Sequence, residues 1–188
     1  SSVKMQLVRT YGSALERYLE WLPPQVVEAA LASPVSLMLD PGNGAASRFA
    51  AEVCRRLGLK VEAVNDRPDG RFPGSGPEPN AATLGGTWAA LAASEARLAA
   101  CFDGDADRVV FCDREGVLGL DGMLAFVAKK RILATSRRSL ATTVETGLLP
   151  QYAAEKVGGA VVRGRVGDVA VAHLARQEDA ALGAESVG

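Results

Sequence analysis

Apolar residues along this chain change their period repeatedly, and each change marks a predicted element. From Tyr11 to Leu22 they recur at Leu15, Tyr18, Leu19 and Leu22, the spacing of one helix face, and Pro23-Pro24 ends the run. Gln25 to Leu31 continues as a second short helix. Val35 to Leu39 is a short apolar strand that runs into the glycine turn Asp40-Pro-Gly-Asn-Gly-Ala-Ala-Ser47. Phe49, Ala50, Val53 and Leu57 then mark a helix stopped at Gly58. Strand, glycine turn and helix open a βα unit. Lys60 to Val64 reads as a second strand and Ala81 to Glu95 as a helix with Leu84, Trp88, Leu91 and Ala92 on one face. The short runs Leu98 to Phe102 and Val109 to Cys112, bounded by turn residues, read as two strands of a buried sheet.

Beyond the turn Asp113-Arg-Glu-Gly116, Asp121 is positioned to cap a helix from Met123 to Ile132, whose basic end, Lys129, Lys130 and Arg131, suits a C-terminal dipole. The rhythm then restarts: strand Leu140 to Val144, helix Leu149 to Val157, strand Ala160 to Val162, basic turn Arg163 to Asp168, helix Val169 to Arg176. Such alternation predicts an α/β protein of two three-layer α/β/α domains, residues 1–135 and 139–188. Each is expected to hold a mixed sheet, the hairpin from Leu98 to Cys112 supplying antiparallel pairing. The second domain is expected to be incomplete, because the sequence stops at Gly188 where a further strand would reach its loop.

Two stretches resist this pattern. Asn65 to Asn80 carries four prolines and three glycines in sixteen residues, a composition that excludes helix and central strand and predicts a long, stiffened surface loop. Between the two apolar runs stands Asp103-Gly-Asp-Ala-Asp-Arg108. Its aspartates occupy alternate positions with small residues between them, so a curled loop can turn Asp103, Asp105 and Asp107 toward one point. Three like charges so close repel strongly, and a divalent cation can offset them. Oxygen-only ligation favours Mg²⁺, Mn²⁺ or Ca²⁺ over zinc, and Mg²⁺ keeps positions for phosphate oxygens. An EF-hand counted from Asp103 would need Gly where Arg108 stands and Glu where Arg114 stands. A solvated acidic turn is the plain alternative.

Composition narrows the function. With 48% hydrophobic residues and net charge −1, the chain has no basic surface for nucleic acid or an anionic membrane, which turns attention to small-molecule chemistry. No apolar stretch approaches a membrane span and the start lacks a signal-peptide core, so a cytoplasmic location is expected. Cys54, Cys101 and Cys112 fall in apolar runs without ligand spacing, and His173 lies in an Ala/Val/Leu stretch; all four are expected to be structural. The turn Gly42-Asn-Gly44-Ala-Ala-Ser47, with Glu62 or Asp66 about twenty residues on, approaches a dinucleotide fingerprint. Pro41 and the missing third glycine count against it.

Several of these motifs occur together, and in order, in one known group. Asp40-Pro-Gly-Asn-Gly44, Pro68-Asp-Gly-Arg-Phe-Pro73 with Pro77-Glu-Pro-Asn80, Asp103 to Arg108, Val166-Gly-Asp168 and Gly183-Ala-Glu185 resemble signatures of the α-D-phosphohexomutase superfamily of phosphoglucomutases, phosphomannomutases and phosphoglucosamine mutases. The resemblance implies domains 2 and most of 3 of such an enzyme, which interconverts hexose 1-phosphate and 6-phosphate through an enzyme phosphoserine and a bisphosphate intermediate. Asp103, Asp105 and Asp107 would then hold Mg²⁺, Arg108 would sit beside the phosphoryl group, and Glu185 and Ser186 would contact the sugar. Ser186 stands one place earlier than in the family's loop. Arg163, Arg165, Gly167 and Asp168 would close over the other side of the ring.

The family's phosphoserine lies in a Ser-His-Asn context that this sequence does not contain, so domains 1 and 4 of the same enzyme are expected partners, beside a phosphosugar substrate. The chain alone is expected to be inactive. Two alternatives stay open. A haloacid-dehalogenase-type phosphatase would use Asp103 and Asp105 but would want Thr or Val near position 107. A non-catalytic metal and sugar-phosphate binding fragment is the other. The identity of the hexose is left open by these motifs.

Overall fold

Parallel strand pairing organises both halves of the chain. The computed structural model describes residues 13–32 and 35–186, and the chain divides after Asp107 into two units. In the first, α1 (Ala14–Trp21) and α2 (Pro24–Ala32) precede β1 (Ser36–Asp40). The predicted first helix forms, while Tyr11 and Gly12 lie outside the described residues. Pro24 opens α2, where its missing N–H costs nothing. After a 3-10 turn at Ala45–Arg48 come α3 (Ala50–Arg56), β2 (Lys60–Ala63), α4 (Gly85–Ala93) and β3 (Leu98–Phe102).

Strand β1 lies between β2 and β3 and pairs in parallel with both, Ser36 opposite Lys60 and Leu37 opposite Leu98. A central strand covered on both faces needs apolar side chains throughout. Met38 and Leu39 are each 1% exposed, and Ala99, Ala100 and Cys101 of β3 are buried with them. Leu84, at the N-cap of α4, and Leu91 within it complete this core. Helix α4 begins four residues later than its apolar pattern suggests. The Asn80 side-chain oxygen accepts the N–H groups of Ala82 and Thr83, a local turn that competes with the first helical turn.

The second unit contains β4 (Val109–Cys112), α5 (Leu120–Ala134), β5 (Ser139–Thr143), α6 (Leu149–Glu155), β6 (Ala160–Gly164), α7 (Asp168–Gln177) and β7 (Leu182–Gly183). Its turn at Asp113 is closed by the Asp113 carboxylate, which accepts the N–H groups of Glu115 and Gly116, and Cys112 bridges Val117 in antiparallel fashion. Strand β5 pairs in parallel with β6 on one side and β7 on the other. On one face Leu140 packs with Leu124 and Ala128 of α5, with Val161 and Leu182 against them; Ile132 packs with Ala154 of α6 and Ala181. Successive strand residues point to opposite faces, and α7, with Val171 buried, covers the other side of β5, β6 and β7. Three layers result, as the alternating pattern predicts. The Thr135–Ser139 turn, where the sequence pattern divides the chain, lies inside this unit and joins α5 to β5. Asp121 is not the cap of α5; Gly119 takes that position. Among the described residues no helix is long and apolar enough to cross a membrane.

Ile132 is fully buried between α5, α6 and β6. Ile132→Ala is expected to lower the unfolding free energy by about 2–5 kcal/mol, read as a shifted urea midpoint with an unchanged slope.

Candidate functional site

The loops of the first unit are built on one buried carboxylate. Asp40 ends β1 with 0% exposure. Its Oδ1 accepts the N–H of Gly42 at 2.9 Å, the amide of Asn65 at 3.0 Å and the hydroxyl of Ser75 at 3.2 Å, while Oδ2 accepts the hydroxyl of Thr87. Burial of a carboxylate is tolerable when its lone pairs are filled in this way. Those donors come from the Asp40–Gly44 turn, the start and middle of the Pro/Gly-rich loop, and helix α4. Asn43, in a left-handed conformation (φ 60°), stitches the same loop from its other side. It gives its backbone N–H to Asn65, its side-chain N–H to Arg67 and accepts from Gly74 and Asp69. The exposed Asp69 and Arg71 close the loop's tip. The Arg71 guanidinium, and then its backbone N–H, hold the Asp69 carboxyl below the usual carboxylate range.

These loops grip the acidic loop at Gly104. Its N–H donates to the carbonyl of Pro77 and its carbonyl accepts the N–H of Ala45, both at 2.9 Å. A Cβ on Gly44 would stand 2.5 Å from the Gly104 oxygen, so only glycine lets the two backbones approach this closely. Two residues on, Ala106 takes a left-handed φ of 66°, which curls the loop. The result is that Asp103, Asp105 and Asp107 each present a carboxylate oxygen within 4.8 Å of the others, Asp103 buried and the other two exposed. An octahedral Mg²⁺ shell has a diameter of about 4.2 Å, twice a Mg–O distance of about 2.1 Å. A small inward movement of three oxygen donors therefore fits such an ion, and the absence of nitrogen or sulfur donors matches a hard cation.

In the second unit the expected sugar-contacting residues separate into distinct roles. Glu185 Oε1 accepts the N–H of Gly167 at 2.6 Å, so the Val166-Gly-Asp turn and the Glu185 loop are tied together. Thr143, Glu145, Thr146, Val166, Glu185 and Ser186 line a pocket of about 40 Å³. Ser186 gives its hydroxyl to Asp121, whose carboxylate also accepts the N–H of Gly147. Arg163 lies underneath. Its guanidinium donates to the carbonyls of Thr143, Thr146 and Gly147, which leaves it bracing the β5–α6 turn rather than reaching outward. Asp168 opens α7 and accepts the N–H of Val169, its own neighbour in the first turn. Arg165 and Arg108 are exposed, the latter opening the second unit.

Several contributors were not given these roles by the sequence: Asn65, Ser75 and Thr87 around the first site and Thr146 around the second, together with Asp40, named only within a motif, and Asp121, read as a helix cap. An acidic residue directly ending an apolar strand, as Asp40 does, is the signal that could have found its role.

Known proteins resemble this chain in sequence and in fold. The phosphoglucomutase/phosphomannomutase family profile for α/β/α domain II matches residues 16–116, and that for α/β/α domain III matches residues 120–188. A probable phosphoglucosamine mutase of Methanopyrus kandleri is 36% identical over 153 residues, covering 81% of this chain and 34% of the relative. A phosphoglucomutase/phosphomannomutase family protein of Burkholderia thailandensis superimposes with TM-score 0.81 at 25% identity, covering 92% of this chain and 37% of that one. The Aspergillus fumigatus N-acetylphosphoglucosamine mutase, solved with GlcNAc-6P and magnesium, has TM-score 0.62 at 21% identity, covering 89% of this chain and 36% of that one, a likeness of fold. The chain spans about a third of the length of the curated relatives it matches.

Removing the buried anchor should loosen the first unit. Asp40→Ala is expected to cost about 3 kcal/mol, since four donors lose a charged acceptor, and denaturant unfolding followed by the fluorescence of Trp88 in α4 reads it.

Proposed function

Because the chain belongs to the phosphoglucomutase/phosphomannomutase family, we propose that it supplies the metal-binding and sugar-reading domains of a hexose-phosphate mutase. The observation that carries this reading is the convergence of three carboxylate oxygens within 4.8 Å on a loop gripped by the two neighbouring family motifs. Asp103, Asp105 and Asp107 would hold Mg²⁺, which supplies Lewis-acid polarisation of phosphoryl oxygens when bound. Arg108 would offer its planar pair of donors to the transferred phosphoryl group, a geometry suited to two phosphate oxygens at once.

Glu185 would orient the sugar. One of its oxygens already takes the Gly167 N–H, and a carboxylate has further lone pairs for sugar hydroxyls. Asp121 would fix the Ser186 hydroxyl, and Arg163 would hold the Thr143–Gly147 turn, so both act as positioning groups. Arg165, Gly167 and Asp168 would close on the ring from the β6–α7 turn. Positioning of this kind is most of what phosphoryl transfer asks of a protein. The phosphatase alternative employs Asp103 and Asp105 and leaves the third gathered carboxylate, Asp107, without a role. Phosphoserine chemistry and the remaining phosphate grip would come from further domains of the same enzyme. Cytoplasmic action completes the proposal, and the thiol state of all three cysteines supports it.

Mn²⁺, a spectroscopic stand-in for Mg²⁺, is expected to bind one site on the wild-type chain, and Asp105→Asn is expected to bind at least tenfold more weakly by electron paramagnetic resonance titration. Equal binding by both would overturn the metal assignment. Glucose 1-phosphate, mannose 1-phosphate and glucosamine 1-phosphate should each remain unconverted by these 188 residues alone. Turnover of any of them would refute the need for a phosphoserine domain.

A further inference from the structure

Phe72 has a backbone conformation that a bulky residue seldom adopts. Its φ is 49°, in the left-handed region where a Cβ crowds its own carbonyl. A conformation of that kind persists only where the surroundings hold it, and such outliers gather at sites whose geometry matters. The hold is visible here. The N–H of Phe72 donates to the Asp69 carbonyl at 2.9 Å, which tightens the turn. The result is a half-buried ring lying across the acidic loop, its Cε1 and Cζ atoms 3.3 and 3.4 Å from the point where a Cβ on Gly104 would lie.

Gly104 is the residue between two of the three gathered aspartates. Its N–H is held by Pro77 and its carbonyl by Ala45. Those two bonds hold the backbone on either side of the Gly104 Cα, and the Phe72 ring lies against the same residue. Restraint matters at this point because three neighbouring negative charges push one another apart when no cation is bound. A loop that spreads must be gathered again at each binding event, whereas a loop held from outside is ready.

We propose that Phe72 is a positioning residue for the metal loop: its strained turn seats the ring on Gly104 and keeps Asp103 and Asp105 at ligating separation. The proposal rests on the metal reading of the three aspartates and adds to it a residue with no ligand atom of its own. It also explains why an aromatic side chain occupies a left-handed position that glycine would fill without strain.

The test separates backbone from ring. Phe72→Gly removes the ring and relieves the left-handed strain together, while Phe72→Leu keeps an apolar side chain over Gly104 on the same backbone. Mn²⁺ affinity is measured by electron paramagnetic resonance titration of the metal-free chains, and metal-free thermal midpoints are recorded alongside. Phe72→Gly is expected to bind about tenfold more weakly, the lower end of what lost support around a metal site costs, with a midpoint at or above that of the wild type. Phe72→Leu is expected to retain most of the affinity. Wild-type affinity in Phe72→Gly, or an equal loss in both variants, would overturn the proposal. Failure of the wild type itself to bind Mn²⁺ would instead sink the metal reading beneath it, so the two failures are distinguishable.

Discussion

A carboxylate withdrawn from water at the end of a central strand forces the chain around it to supply donors. Asp40 receives four, from residues 42, 65, 75 and 87, and each is delivered by a different part of the first unit. Because desolvating an ionised carboxylate is costly unless it is fully bonded, the fold is stable only when the glycine turn, the Pro/Gly-rich loop and α4 are all in place. Order in the long loop therefore follows from charge burial more than from apolar packing. That is how a sixteen-residue stretch with no helix or strand of its own can hold one shape.

The order passes from Asp40 to the acidic loop through backbone. Pro77, in the loop that Ser75 anchors, accepts from Gly104; Ala45, one residue beyond the close approach at Gly44, donates to it. The grip on the acidic loop at Gly104 is thus made by backbone groups of its two neighbours.

What the sequence disclosed followed from period and punctuation. Strands β3 and β4 begin and end where their short apolar runs do, because turn residues bound them on both sides. The start of α4 was hidden by Asn80, whose side chain diverts the backbone for a few residues in a way apolar spacing does not register. The acidic cluster was legible since three aspartates at alternate positions have few other uses, and the left-handed Ala106 that gathers them was not, alanine giving no sign of its backbone state. Arg163 shows the deeper limit. Residue type announces a cation with five donors, but its direction depends on where the β5–α6 turn passes, and that turn presents three carbonyls to it. The same holds for Asp121, which reads as a cap and instead reaches residues 147 and 186.

Sheet order supplies what motif spacing could not. In the first unit β1 has β2 on one side and β3 on the other, so the chain leaves β1 in one direction and returns on the opposite side. In open parallel sheets the crevice beyond the carboxyl ends of such strands is where ligands bind, since the loops diverge there. Asp40 ends β1, and Asp103 directly follows β3, the adjacent strand. The second unit repeats the device: β5 has β6 and β7 on its two sides, Thr143 ends β5, and Thr146, Gly167 and Glu185 lie past the carboxyl ends of these strands. Residues more than forty positions apart in sequence, Thr142 and Ala184, join by a hydrogen bond at that end. Each unit thus places its candidate site residues where divergence of parallel strands opens space, and ties the diverging loops with a buried or half-buried acid, Asp40 in one and Asp121 in the other. Asp40 and Asp121 are therefore separate residues from Asp103, Asp105 and Asp107, the acids proposed to meet the metal, while Glu185, proposed to meet the sugar, also braces its own loop through the Gly167 N–H.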